Sequence, residues 1–162
     1  MRAMLLTGVG KFENIVKGIG ETDLKSSMPA GPLELRDIPA PIPGPDDILI
    51  KISACGICHT ELEQIEGRIS PPKLPVIPGH QVTGIVQSTG RNVTRFKPQD
   101  KAGATWFFSS CGKCRFCSGG FENLCEKFRA TGCHADGGYA EYMIIGENSA
   151  CRITPSFSDL YS

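Results

Sequence analysis

Four of the eight cysteines in this chain fall inside one 15-residue segment, Cys111-Gly-Lys-Cys114-Arg-Phe-Cys117 and then Cys125. So dense a cluster dictates the local fold. Four thiolates in so short a loop can surround a single ion tetrahedrally, and Gly112, Gly119 and Gly120 let the backbone turn tightly around it. A closed four-sulfur shell leaves no position for substrate, so a zinc ion held there is expected to be structural and to contribute to folding rather than to chemistry. Three rivals stand beside zinc. The C-x2-C-x2-C spacing matches the start of an iron–sulfur motif, but the fourth cysteine is not three residues on and no proline follows it. Disulfides require an oxidising compartment. Four ordinary buried thiols would have to cluster by chance.

The compartment follows from the rest of the sequence. Met1 to Gly10 lacks the apolar stretch and small-residue cleavage site of a secretory signal, so a cytoplasmic location is expected. No apolar run approaches the ~20 residues of a membrane span. Lys and Arg number 17, as do Asp and Glu, so no positive field exists to attract nucleic acid or an acidic membrane surface. With 162 residues, 40% hydrophobic, and a mean hydropathy of −0.10, the chain is expected to bury one globular core.

The apolar pattern is mainly that of strands. Leu33 to Ile38 alternates, Ile48 to Ala54 reads as a partly buried strand, Val82 to Ser88 is rich in β-formers, and Tyr139 to Ile145 follows the turn Asp136-Gly137-Gly138. Gly84 inside the third of these permits a bulge or a close backbone approach. Clusters of Pro and Gly at 39–45 and 71–79 end strands and fix loop directions. The one expected helix is a turn or two around Thr60 to Glu66. Short strands with dense turn signals predict a barrel or sandwich. Lys11 to Met28 breaks the rhythm and reads as a surface excursion. Neither Gly8-Val9-Gly10 nor Gly18-Ile19-Gly20 completes a dinucleotide-binding fingerprint.

A second constellation lies upstream. Cys55-Gly-Ile-Cys58-His59-Thr60-Glu61 follows a strand and opens the short helix, and Pro78-Gly79-His80-Gln81 precedes the next strand. Cys58 and His80 could share a zinc ion, although a catalytic zinc usually takes three protein ligands and a water. Taken alone, the Cys55–His59 segment also fits a c-type haem attachment site, and its first four residues a redox dithiol. Cys55 is expected to be a small buried hydrophobe. The pair Cys133-His134 is expected to be plain loop, and Cys151 carries no assigned role.

In order and separation, several pieces resemble the zinc-containing alcohol dehydrogenases of the medium-chain dehydrogenase family. They are Gly56-Ile-Cys58-His59-Thr60-Glu61, Pro78-Gly79-His80, Gly90-x2-Val93-x2-Phe96-x3-Asp100, the Cys111 to Cys125 lobe, and Asp136-Gly-Gly-Tyr-Ala-Glu-Tyr142. The resemblance covers the opening strand and Leu33 to the C-terminus. It implies a mainly β, GroES-like, partly open barrel with short helices, occupying residues 1–162 as one catalytic domain with a zinc lobe at about 107–127. It also implies that Cys58 and His80 bind a catalytic zinc, and that Cys111, Cys114, Cys117 and Cys125 bind a structural one. Thr60 would relay the alcohol proton, His59 would contact the cofactor or complete that relay, and Trp106 would wall a pocket for small alcohols. The implied reaction oxidises a small alcohol to an aldehyde or ketone with NAD or NADP, and an oligomer is compatible with the resemblance.

The sequence departs from that pattern at three places. Gln81 stands where the family usually has Glu, Glu61 where it usually has Asp, and 11–28 looks inserted. The resemblance places the third catalytic ligand and the nucleotide-binding domain outside the 162 residues. The expectation is that this polypeptide alone neither binds the dinucleotide tightly nor turns over alcohol. The alternative is a non-catalytic zinc-binding domain or relic.

Overall fold

The computed structural model describes residues 1–9 and 32–157. The expected excursion at 11–28 lies outside the described residues. Strand β1 (Arg2–Leu6) pairs antiparallel with β2 (Leu33–Asp37), with Ala3 opposite Arg36 and Leu6 opposite Leu33. The main sheet has five strands in the order β8-β3-β4-β5-β9, all antiparallel: β3 (Asp47–Cys55), β4 (Val82–Thr89), β5 (Lys101–Ala104), β8 (Tyr142–Gly146) and β9 (Cys151–Arg152). A third pair, β6 (Phe107–Ser109) with β7 (Arg129–Ala130), frames the base of the cysteine lobe. Helices are short. Helix α1 is His59–Ile65, α2 is Arg115–Ser118, and a single 3-10 turn covers Glu122–Leu124.

The period-2 pattern explains the core. Ile48 and Ile50 of β3, Val86 of β4 and Ile145 of β8 are all fully withdrawn from water, with Val82, Phe96, Ala102 and Met143 packed among them. Burying each large aliphatic side chain contributes roughly 1.5–3 kcal/mol. The close approach expected at Gly84 is present, because a Cβ there would lie 2.3 Å from the Lys51 carbonyl oxygen. The β3–β4 register also slips between Ile52 and Ala54, opposite that glycine. A smaller cluster of Ala3, Leu5 and Ile77 seats β1 against the loop before His80.

One strand begins later than the sequence suggests. The run expected from Tyr139 starts as β8 only at Tyr142. Before that point the backbone serves β1 instead: the Met4 N–H donates to the Tyr139 carbonyl at 2.7 Å and the Glu141 N–H donates to the Arg2 carbonyl at 3.1 Å. The segment thus passes from β1 to β3, and an apolar alternation cannot reveal which neighbour it pairs with. Strand β5 carries no sequence signal of its own, since Lys-Ala-Gly-Ala lacks the β-branched and aromatic residues that mark a strand. Among the described residues, no helix is long and apolar enough to cross a membrane.

Candidate metal centres

The lobe is assembled by the β6–β7 pair and two short turns. Cys111 follows β6, Cys114 precedes the first residue of α2, Cys117 lies within α2, and Cys125 closes the 3-10 turn. Their four sulfur atoms lie within 4.8 Å of one another. Cys114 Sγ is 3.5 Å and Cys111 Sγ 3.9 Å from Cys117 Sγ. A tetrahedral four-sulfur zinc shell with bonds of about 2.3 Å has sulfur–sulfur edges of about 3.8 Å, so the donor set fits such an ion. The same distances far exceed a sulfur–sulfur bond of about 2.05 Å, and all eight thiols are free. Backbone donors converge on the sulfurs. The N–H groups of Cys111 and Lys127 point to Cys125 Sγ at 3.5 and 3.3 Å. The N–H groups of Lys113 and Cys114 draw the Cys111 thiol down to about 6. Cys117 is lowered chiefly by its contact with the Ser110 hydroxyl. Cys114 moves the other way, up to about 11, raised by desolvation and by its contacts with Cys117 and Cys111, so Cys111 and Cys117 are the two thiols biased toward thiolate, the form that binds metal.

The second centre is organised by Glu61. Cys58 caps α1, and Glu61 sits three residues on, in its first turn. One carboxylate oxygen, Oε2, accepts the Cys58 N–H at 2.7 Å, the reaching-back half of a capping box. The other, Oε1, lies 2.7 Å from His80 Nδ1, with the side chains only 3% and 9% exposed. That approach is a close polar contact out of line with a ring N–H, so Oε1 still lacks an aligned hydrogen-bond donor. One carboxylate therefore ties the start of α1 to the residue two before β4, and it leaves His80 Nε2 as the nitrogen free for a metal. Gly79 makes that placement possible. Its φ is +94°, and a Cβ there would sit 2.7 Å from the Tyr139 ring and 2.8 Å from Cys55 Sγ.

Around His80 the predicted residues divide. Trp106 meets the imidazole edge to face at 5.0 Å, and both line a cleft of about 730 Å³ with Gln81, Cys55 and Cys151. Thr60 Oγ1 lies 3.7 Å from Cys58 Sγ, but neither residue lines that cleft. His59 is 68% exposed and 3.7 Å from Glu63. Cys55 packs against the core, and burial pushes its thiol up to about 11, which keeps it neutral at pH 7. Cys133 is buried, with its thiol raised by that burial. His134 Nδ1 accepts the Ala130 N–H at 3.1 Å, so that pair belongs to a turn. Among the described residues, the four-cysteine lobe is the one group of three or more ligand side chains gathered together. Glu61 enters the sequence pattern only as a departure from the family's usual Asp. Its spacing from Cys58, that of Ser/Thr-x-x-Glu caps, is the signal that could have placed its carboxylate.

The alcohol dehydrogenase GroES-like domain family matches residues 44–155. An alcohol dehydrogenase of Geobacillus stearothermophilus is 38% identical over 128 residues, which are 78% of this chain and 38% of that protein. Among solved structures, an NAD-dependent alcohol dehydrogenase superposes over 98% of this chain and 41% of its own, with 29% identity and a TM-score of 0.81. The cobalt- and zinc-bound thermostable alcohol dehydrogenase of Pyrobaculum aerophilum covers 96% of this chain and 42% of its own, at 26% identity and a TM-score of 0.77. The chain thus spans about two fifths of the length of these relatives.

Proposed function

The chain belongs to the alcohol dehydrogenase GroES-like domain family, and on that premise we propose that it is the metal-bearing catalytic domain of a zinc-dependent alcohol dehydrogenase of the cytoplasm. It serves the oxidation of small alcohols to aldehydes or ketones, with NAD or NADP held mainly by a nucleotide-binding domain outside these residues. The polypeptide by itself is not expected to turn over alcohol. The observation that carries this reading is the buried Glu61 carboxylate, which fixes Cys58 through its N–H and His80 through Nδ1 at once.

Cys58 as thiolate and His80 through Nε2 supply a soft and a borderline donor suited to zinc. Zinc would supply Lewis acidity that makes an alcohol hydroxyl easier to deprotonate, and the nicotinamide would take the hydride. Glu61 holds the imidazole in orientation and favours its metal-binding tautomer. Thr60 can take the alcohol proton and pass its own outward, because a hydroxyl both accepts and donates. His59, largely in water, is the next stop for that proton or a contact for the dinucleotide. Trp106 narrows the cleft beside His80 and favours small substrates.

Cobalt(II) loading tests the reading. A second, non-lobe cobalt site whose visible bands shift when trifluoroethanol is added is expected. Bands of the four-sulfur site alone, indifferent to alcohol, would favour a non-catalytic zinc module. One observation speaks for that second reading: Cys58 and His80 have no third ligand gathered beside them among the described residues.

A further inference from the structure

The Tyr139 phenol takes no part in the machinery described so far. Its hydroxyl oxygen is buried without a hydrogen-bond partner, an unfavourable state for a polar group inside a fold. Its position is firmly set. The Tyr139 N–H donates to the Pro78 carbonyl at 3.0 Å, its carbonyl accepts the Met4 N–H at 2.7 Å, and its ring lies flush on the Gly79 backbone next to His80. Burial, and then the nearby Glu61 carboxylate, push its ionisation up. Glu61 Oε1 is itself buried without an aligned donor. A donor lacking an acceptor and an acceptor lacking a donor thus both adjoin the Gly79–His80 segment, the Tyr139 ring against Gly79 and Glu61 Oε1 2.7 Å from His80 Nδ1.

We propose that the Tyr139 hydroxyl donates to the Glu61 carboxylate, directly after a side-chain rotation or through one bridging water, and so acts as a positioning residue for His80 as a metal ligand. The carboxylate would then be held on three sides: by the Cys58 N–H, by the imidazole and by the phenol. Full satisfaction restrains its rotation, and a restrained carboxylate presents the imidazole in one orientation. The phenol also withdraws some carboxylate charge from the imidazole, so its removal changes metal affinity and not only packing. This proposal rests on the Cys58–His80 site proposed above.

The test uses the full chain and Zn(II), with affinities of both sites measured by competition against a chromophoric chelator. Tyr139→Phe keeps the ring on Gly79 and removes only the hydroxyl. It is expected to weaken the non-lobe site about 10-fold, at the lower end for loss of a partner behind a metal ligand, and to leave the four-cysteine site unchanged. In a Glu61→Gln background the same substitution should cost less than about 2-fold, since residues acting through one another are not additive. Equal non-lobe affinities in wild type and Tyr139→Phe would overturn the proposal while leaving the proposed function intact. So would an equal loss in both backgrounds, which would mean that the phenol acts elsewhere. A merely structural tyrosine would shift the urea midpoint of the metal-free chain without moving that affinity. A wild-type chain with no non-lobe zinc would remove the proposed function, and this proposal with it.

Discussion

Glu61 Oε1 and His80 Nδ1 lie 2.7 Å apart with both side chains withdrawn from water, so the residue that caps a helix also orients the imidazole on the facing loop. Removing the charge while keeping the shape separates these duties. Glu61→Gln retains an oxygen for the Cys58 N–H but loses the anionic partner of His80. Non-lobe zinc affinity should fall about 10- to 100-fold, as for other partners behind a metal ligand. Chelator competition measures it, and an unchanged affinity would detach Glu61 from the site.

Gly79 should tolerate no side chain. Its φ of +94° disfavours any L-residue, and a Cβ would press on Tyr139 and Cys55. Gly79→Ala should destabilise the chain by about 1–3 kcal/mol, the range for overpacking in a well-packed region. Urea unfolding reads the loss, and a shift of a few tenths of a kcal/mol would show that the loop yields.

Ile145 is fully buried between β3 and the core. Ile145→Ala should cost about 2–5 kcal/mol through lost burial and the cavity left behind. Lobe metal affinity should stay unchanged, because the lobe is framed by the separate β6–β7 pair.

Two half-buried carboxylates predict the acid limb of stability. The Arg2 backbone N–H and then its guanidinium hold Glu141 below its ordinary value, and the Lys97 N–H, then Arg152, do the same for Asp100. A depressed folded-state pKa gives stability that is present above the unfolded-state value and lost as pH falls through the folded one. The contribution should therefore be constant from pH 7 to about 5 and fade below about pH 4, near the unfolded carboxylate values. Urea midpoints of wild type and Arg2→Ala should differ most at pH 6 and draw together as pH falls below about 4.

The sequence disclosed what repeats or what clusters. Alternating Ile48 and Ile50 announce β3, and the cysteine spacing announces a pocket of sulfur that the structure closes to within 4.8 Å. The handover of Tyr139–Glu141 from β1 to β3 was hidden, because both partners satisfy the same alternation. The cleft around Trp106 was legible only by resemblance, since the tryptophan comes from the β5–β6 turn and His80 from a loop 26 residues earlier. The Glu61–His80 contact and the role of Tyr139 were illegible for a related reason. Each depends on which buried oxygen faces which, a matter of packing that no spacing encodes.

The most direct measurement is the zinc content of the purified chain by elemental analysis, for wild type, Cys58→Ser and Cys114→Ser after exposure to zinc and desalting. Two zinc ions per wild-type chain and one in each variant, with no iron, are predicted. A wild-type content of one that Cys58→Ser leaves unchanged would contradict the claim that Cys58 and His80 hold a metal.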